Sequence, residues 1–355
     1  MLGVLGFAVL WLASAWWRWP RAATLGALGL WWLVLVLVTA PGLGGAVAGG
    51  WGEFRLWVLA GPVAVLALGY RAGLRALRSR AMRRAAPDGG AVPAPEADRP
   101  ATFEPAEVER YARHILLHEI GGPGQQRLKA ARVLVVGAGG LGAPVMMYLA
   151  GAGVGTIGVV DPDRVEPSNL QRQIIHTTAR IGQSKVASSA EAIAALNPHI
   201  RVETHELRLE PANAAALIGA YDLVLDGSDN FDTRYLVNRV CAELARPLIA
   251  GAIARWEGQL SLYDPARGGP CYECVFPVRP APGLVPSCAE AGVAAPLPGV
   301  IGAMMAMEAV KHLTGAGDTL RGRLLIQDSL YGESRVVALR PRPDCPVCGG
   351  GRPKV

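Results

Sequence analysis

Charged residues are scarce in this chain of 355 residues, at 18% of the composition, while hydrophobic residues reach 51%. This balance excludes a disordered polyelectrolyte and is enough for two domains, or for one domain with attachments. The net charge of +6 lies entirely in residues 1–100, because residues 101–355 hold 25 basic and 25 acidic residues. A nucleic-acid-binding domain needs a basic excess in its folded part. We therefore expect no nucleic-acid partner.

Residues 1–84 contain three runs without any charged side chain, at 1–17, 22–52 and 56–70. Apolar runs rich in tryptophan are typical of membrane-spanning helices, which need about 20 residues. We predict a membrane anchor of two to three transmembrane helices, with three preferred and the arginine-rich segments on the cytoplasmic side. The alternatives are a signal peptide, for which residues 13–15 imitate a cleavage site, and buried helices of a soluble protein.

The segment after these runs holds six arginines, at residues 71–84, and predicts a basic helix on the inner leaflet or a solvated one. Residues 85–103 are rich in Pro, Ala and Gly and indicate a linker. The folded domain is expected at residues 104–355. We expect the chain at the inner (cytoplasmic) membrane, with this domain in the cytoplasm.

Residues 131–163 predict a Rossmann-like α/β fold. A buried strand, VLVV, is followed by G-x-G-x-x-G at Gly137, Gly139 and Gly142, by a helix, and by a second strand that ends at Asp161. Such glycines let the backbone approach a phosphate chain at a helix N-terminus, and the acidic residue accepts hydrogen bonds from ribose. We predict a nucleotide site in a mostly parallel, doubly wound sheet. The pattern does not distinguish NAD from ATP, and a glycine-rich turn for tight helix packing is the alternative.

Two cations and a group of acidic residues favour a phosphate-transferring enzyme. Arg172 lies in SNLQRQ and Lys185 is one of only four lysines in the chain. Such cations neutralise the charge that grows on a leaving pyrophosphate. YDLVLDGSDN predicts a strand followed by Asp229 and Asn230, at a sheet edge that suits Mg²⁺ bound with nucleotide phosphates. The alternatives are a surface salt bridge for Lys185 and a helix cap for Asp229.

Four of the six cysteines form two C-x-x-C pairs, Cys271 with Cys274 and Cys345 with Cys348. Two such pairs predict a four-thiolate zinc site, which would tie the chain terminus to the middle of the domain. The alternatives are two disulfides or thiols without a role. Cys241 is expected in a buried helix. Cys288 lies in a proline-rich stretch, where it is either a nucleophile or inert.

These motifs together resemble the ThiF/MoeB/HesA family of ubiquitin-activating-enzyme-like adenylyltransferases. The resemblance covers residues 105–350 and is carried, in chain order, by ERYARHILL, GAGGLG, DPDRVEPSNLQRQ, GQSKV, LDGSDN, RWEGQ, CYEC, CAEAGV, GVIGAMMAMEAVK and CPVC. It implies an enzyme that uses ATP and Mg²⁺ to adenylate the C-terminal Gly-Gly carboxylate of a ubiquitin-like sulfur carrier. The activated carrier would serve the synthesis of molybdopterin, thiamine or a related product.

The resemblance also implies roles for individual residues. The nucleotide would be bound by the four glycines Gly137, Gly139, Gly140 and Gly142, by Asp161, and by Ser168, Asn169, Leu170, Gln171, Arg172, Lys185, Asp229 and Asn230. Arg113 would reach into the neighbouring subunit's site in a homodimer. Asp229 would bind Mg²⁺, and Cys288 matches the cysteine that some members link to the carrier. The four paired cysteines match the zinc ligands.

Two features depart from the family, and three other functions compete. A membrane anchor is unusual there, and no sulfurtransferase domain follows Cys348, so we expect a separate sulfur donor. The competing functions are a tRNA-modifying, dehydratase-like member of the same fold, an NAD-dependent oxidoreductase, and a non-catalytic membrane scaffold.

Overall fold

The computed structural model describes residues 21–40, 102–279 and 292–349, together with a few positions between residues 7 and 73. The chain divides into two compact units, Met1–Gly89 and Gly90–Val355. In the first unit, helix α1 spans Arg21–Thr39. The domain bounds expected from the sequence, at residues 84 and 104, stay a prediction.

The prediction that transmembrane helices precede the catalytic domain is wrong. Within the ranges described, no helix has both the length and the hydropathy that crossing a bilayer requires. Helix α1 covers 18 residues of the uncharged run at 22–52, because it ends at Thr39, whereas a span needs about 20. The other predicted spans, at residues 1–17 and 56–70, and the basic segment 71–84 fall largely outside the described residues. The expected cytoplasmic location stays a prediction.

The second unit alternates helices with strands. Its strands are β1 (Arg132–Val136), β2 (Thr156–Val160), β3 (Arg201–His205), β4 (Leu223–Asp226), β5 (Leu248–Ala254), β6 (Glu257–Tyr263), β7 (Arg323–Asp328) and β8 (Glu333–Ala338). Its helices are α2 (Pro105–Ile115), α3 (Gly121–Ala130), α4 (Gly142–Ala152), α5 (Lys185–Leu196), α6 (Pro211–Gly219), α7 (Phe231–Glu243), α8 (Tyr272–Val275) and α9 (Leu297–Thr314).

The strands form one sheet in the order β3-β2-β1-β4-β5-β6-β7-β8. The first five strands in this order are parallel, and the chain changes direction across the sheet between β1 and β4. Val136 pairs with Val160 on one side and with Asp226 on the other, so the three strands end at one level. Ligands of open α/β sheets bind in the crevice at such a switch point. This agrees with the Rossmann-like part of the predicted fold.

Strands β6, β7 and β8 extend the sheet in antiparallel fashion, which the sequence analysis did not foresee. The β5–β6 turn holds Arg255 at φ +54°, the left-handed region that non-glycine residues seldom adopt. Runs such as LIAGAIA and EGQLSLY have no strong alternation, so their pairing depends on contacts with distant parts of the chain.

The core lies on both faces of the sheet. On one face α4, α5 and α9 pack side chains such as Leu149, Ile193 and Ile301 against the strands. On the other face α6 and α7 contribute Ile218 and Val237, next to Tyr221. Helices on both faces explain why β1 and β2 read as continuous apolar runs rather than alternating ones.

The motif GGPG at residues 121–124 begins a helix. Helix α2 ends at Ile115, before this motif, and α3 starts at Gly121. Pro123 lies in the first turn of α3, where the missing N–H has no intrahelical partner to lose.

The loop between β1 and α4 turns sharply at Gly137, whose φ of +93° favours glycine. A Cβ atom added to Gly142, the first residue of α4, would lie 1.9 Å from the carbonyl oxygen of Gly137. A Cβ added to Gly139 would find its nearest neighbour, the Gln173 Nε2 atom, at 3.6 Å. The close approach of loop and helix therefore depends on Gly142 and not on Gly139.

We expect Gly142→Ala to lower the free energy of unfolding by about 3 kcal/mol or more, because the backbone clash cannot be relieved locally. Helix propensity alone predicts the opposite sign, a gain of about 1 kcal/mol. Gly139→Ala is the matched control and should change stability by less than about 1 kcal/mol. Urea unfolding monitored by circular dichroism measures both. Equal stability of the two variants would contradict the described loop geometry.

Candidate nucleotide site and metal centre

A cavity of about 830 Å³ opens at the carboxyl ends of β1, β2 and β4. Eight of the residues predicted to bind the nucleotide line it: Gly137, Gly139, Gly140, Asp161, Arg172, Lys185, Asp229 and Asn230. They come from five separate segments of the chain, and the parallel register brings these segments to one edge of the sheet. The volume is in the usual range of small-molecule sites, about 300–1,000 Å³.

Asp161 is buried just beyond the end of β2. Its Oδ2 atom accepts a hydrogen bond from the Ala138 N–H at 2.7 Å, and its Oδ1 atom accepts one from the Asp163 N–H at 2.8 Å. Burial raises the pKa of this carboxyl, while the nearby Lys185 opposes that rise. Each oxygen retains a lone pair, so Asp161 can hold the loop and still accept from a ribose hydroxyl.

Lys185 is the first residue of α5, and the cap Ser184 accepts from the Ala187 N–H at 3.3 Å. The Lys185 side chain is 8% exposed, and its Nζ atom lies 2.8 Å from the Oδ2 atom of Asp163, an exposed carboxylate. The predicted salt bridge exists, but Lys185 also lines the cavity. Lys185 therefore forms a salt bridge and also lies where a phosphate-binding residue is expected, so the two interpretations are compatible.

Arg172 reaches the cavity from the turn after the short 3₁₀ helix Pro167–Asn169. Its guanidinium donates to the carbonyl oxygen of Ser168 at 3.1 Å. Arg172 and Lys185 bring two positive charges to the cavity wall. Such an arrangement can stabilise negative charge on a phosphate chain.

The loop after β4 does not support the alternative that Asp229 caps a helix. Asn230, and not Asp229, caps α7, because its Oδ1 atom accepts from the Thr233 N–H at 2.9 Å. Asp229 is exposed at the cavity and is left available for a cation. Asp226 is buried, with one oxygen accepting from the Ser228 N–H and the other without a partner among the described residues.

Several predicted residues lie away from the cavity lining. These are Gly142, whose role is structural, and the neighbouring residues Ser168, Asn169, Leu170 and Gln171. Asn169 is buried and its backbone carbonyl accepts from the N–H groups of Arg172 and Gln173, so it shapes the turn that presents Arg172. Arg113 is exposed on α2 and does not line this cavity. Cys288 lies outside the described residues.

Part of the cavity wall comes from residues to which the sequence assigned no role. Gln173 and Ser228 are buried there, and Gln173 is the last residue of the SNLQRQ run. Arg208, after β3, and Arg279 also line it. The residues 252–254 and 257–259 come from the β5–β6 hairpin. Only the unforeseen antiparallel extension of the sheet brings that hairpin to the cavity.

The four paired cysteines form a compact cluster. Their Sγ atoms are separated by 3.8 Å (Cys271 and Cys274), 3.6 Å (Cys271 and Cys345) and 3.4 Å (Cys274 and Cys348). Four thiolates about 2.3 Å from a tetrahedral zinc lie about 3.8 Å apart, whereas a disulfide needs about 2.05 Å. The distances fit a metal site and not disulfides.

The cluster is fixed to the rest of the domain through α7. The Tyr272 N–H donates to the Asn238 Oδ1 atom at 2.8 Å, and Glu273 pairs with Arg239 at 3.0 Å. Burial raises the pKa of the Cys271 thiol, and burial raises that of Cys274 to about 11. Binding of a metal cation must therefore displace protons from these thiols. The cluster ties the C-terminal segment to α7.

The chain is similar to proteins of one family. The ThiF family model matches residues 111–347. The "Sulfur carrier protein adenylyltransferase" of Thermus thermophilus is 50% identical over 247 residues, which are 68% of this chain and 91% of that protein. The "SAMP-activating enzyme E1" of Haloferax volcanii is 48% identical over 250 residues, 70% of this chain and 92% of that protein.

Some relatives are longer. The "Probable adenylyltransferase/sulfurtransferase MoeZ" of Mycobacterium tuberculosis is 51% identical over 256 residues, and the match spans 65% of its length. Among solved structures, E. coli MccB with MccA-N7isoASN has a TM-score of 0.62 at 24% identity, covering 68% of this chain and 74% of that one. This likeness shows the fold alone. From the family match and the identities near 50%, we conclude that the chain is an adenylyltransferase that belongs to the ThiF family.

Proposed function

We propose that the chain uses ATP to adenylate the C-terminal Gly-Gly carboxylate of a ubiquitin-like sulfur carrier. The observation that carries the proposal is the single cavity at which the glycine loop, Asp161, Arg172 and Lys185 meet. Named relatives support the substrate class, since one is called a sulfur carrier protein adenylyltransferase. The same relatives favour nucleotidyl transfer over the nicotinamide and scaffold alternatives.

The reaction needs placement and charge stabilisation more than proton transfer. A carboxylate oxygen of the carrier attacks the α-phosphorus of ATP, and the bond from that phosphorus to the bridging oxygen of pyrophosphate breaks. No general base is required, because the attacking carboxylate is already ionised. Arg172 and Lys185 would neutralise the charge on the leaving pyrophosphate. Asp161 would orient the ribose.

We assign a Mg²⁺ ion to Asp229, whose exposed carboxylate borders the cavity and caps no helix. Magnesium prefers one or two carboxylates together with phosphate oxygens. When bound it would screen the negative charge of the nucleotide. The cluster of Cys271, Cys274, Cys345 and Cys348 would hold zinc, whose preference for four thiolates matches the donor set.

A homodimer is part of the proposal. Arg113 is exposed and does not line the cavity of its own subunit. Both properties suit a residue that acts in a neighbouring subunit. Helices α4 and α9 expose Tyr148 at 60% and Met307 at 61%, apolar side chains suitable for an interface. The sulfur donor would be a separate protein, and the final product would be molybdopterin, thiamine or a related compound.

The direct test is exchange of labelled pyrophosphate into ATP in the presence of a carrier that ends in Gly-Gly. We expect exchange that depends on the carrier, because adenylation is reversible while pyrophosphate is present. The matched control is the same carrier without its last glycine. Absence of exchange with every such carrier, from a folded and zinc-replete chain, would sink the proposal.

We expect Lys185→Ala and Asp229→Ala each to slow exchange by about 100-fold or more, because each removes charge that acts on the phosphates. Stability should change little, since Asp163 is 59% exposed and stays solvated without its partner. Lys129→Ala is the control with the reverse phenotype. Lys129 pairs with the buried Glu107 outside the cavity, so its loss should lower the melting temperature and leave exchange unchanged. A large fall in melting temperature for the Lys185 or Asp229 variant would mean that the residue is structural.

Removal of zinc should destabilise the domain. We expect a strong chelator to lower the melting temperature by more than about 10 °C, because the metal links α8 to the C-terminal segment. Elemental analysis should find zinc in the purified chain and much less in Cys271→Ser. Cys241→Ala, which alters a buried thiol outside the cluster, should retain the metal. A metal-free chain of unchanged stability would contradict a structural zinc.

A further inference from the structure

His176 lies between the phosphate-binding loop and helix α5, and it is 5% exposed. Its Nε2 atom is 3.0 Å from the carbonyl oxygen of Ala138, between Gly137 and Gly139 in the loop. Its Nδ1 atom is 2.8 Å from the Ser188 Oγ atom, in the first turn of α5. One imidazole therefore connects the loop to the helix that begins at Lys185.

The partners define the tautomer. A carbonyl oxygen only accepts, so Nε2 carries the proton and donates to Ala138. Nδ1 then accepts from the Ser188 hydroxyl. The Arg180 guanidinium fixes Ser188 in turn, because it donates to the Ser188 backbone carbonyl and, at 3.1 Å, to its Oγ atom. The imidazole is thus held in one orientation by groups outside the cavity.

The Ala138 residue is held from both sides. Its N–H donates to Asp161 and its carbonyl accepts from His176, while the next residues, Gly139 and Gly140, line the cavity. We propose that His176 is a positioning residue: the neutral imidazole fixes the phosphate-binding loop against α5, so that the loop and Lys185 grip the nucleotide together. The inference rests on ATP binding at this loop, as in the proposed function.

The charged groups around His176 disfavour its protonation. Lys185 and Arg180 are close enough to act on it, Lys185 is already paired with Asp163, and Asp161 lies on the far side of the Ala138 peptide. Burial lowers the pKa of His176, the hydrogen bond to Ala138 partly opposes this, and the two cations lower the pKa further. The unfolded chain therefore binds this proton at a higher pH than the folded one. The free energy of unfolding is therefore not reduced by protonation of His176 above about pH 6.5, and it falls as the pH drops below that value.

The test measures Mg-ATP affinity by calorimetry on the full chain without any carrier. His176→Phe removes the donor and leaves the Ala138 carbonyl without its partner, so we expect the Kd to rise by about tenfold or more. His176→Gln keeps one donor and one acceptor, and its Kd should stay within about threefold of wild type. Rescue by glutamine distinguishes loop positioning from simple filling of space.

The pH dependence gives a second measurement. Between about pH 8 and about pH 6.5 the ratio of the wild-type Kd to that of His176→Gln, which cannot titrate, should stay constant, because the lowered pKa keeps the folded imidazole neutral. The ratio of the two values cancels the protonation of ATP itself. A folded His176→Phe variant with wild-type affinity overturns the inference. So does a Kd of His176→Gln about tenfold or more above wild type, or a Kd ratio that changes over this pH range; either result decides the matter if His176→Phe does not fold. A wild-type chain that binds no Mg-ATP overturns the proposed function as well.

Discussion

The nucleotide site depends on how one peptide of the β1–α4 loop is held. The Ala138 N–H donates to Asp161 at the end of β2, and the Ala138 carbonyl accepts from His176. A loop of small residues has little side-chain packing of its own, so its conformation is set by hydrogen bonds and by close backbone contacts. The Gly142 position supplies the close contact. The amides at the start of α4 are thereby presented to the cavity in one arrangement.

The cysteine cluster imposes the second constraint. Strand β8 is exposed along its whole length and lies at the edge of the sheet, where pairing is weakest. The segment after it returns to Cys271 and Cys274, next to α7, through Cys345 and Cys348. Zinc bound there, as proposed, would cross-link the two segments and limit fraying of the edge strands. The cluster also contacts α7, whose first turn borders the cavity, and so is connected to the site through a single helix.

The sequence was most informative where chemistry and geometry require a particular residue type. Glycines at the turn, an acidic residue after β2 and two C-x-x-C pairs each have few physical alternatives, and the structure brings each group together as expected. Strands β6, β7 and β8 were missed because their pairing is set by distant partners rather than by local pattern. The prediction of membrane helices was wrong for a related reason. A run without charged residues does not show which parts of the protein or its surroundings the run contacts.

Two halves of one sheet meet in the cavity, and this division matches the chemistry proposed for it. The parallel half supplies glycine turns and cations, which suit a phosphate chain. The antiparallel half supplies small and polar residues from the β5–β6 hairpin, such as Ala252 and Gln259. Strand β5 belongs to both halves, because it pairs in parallel with β4 and antiparallel with β6. The cationic half of the cavity and the hairpin half are therefore joined through this one strand.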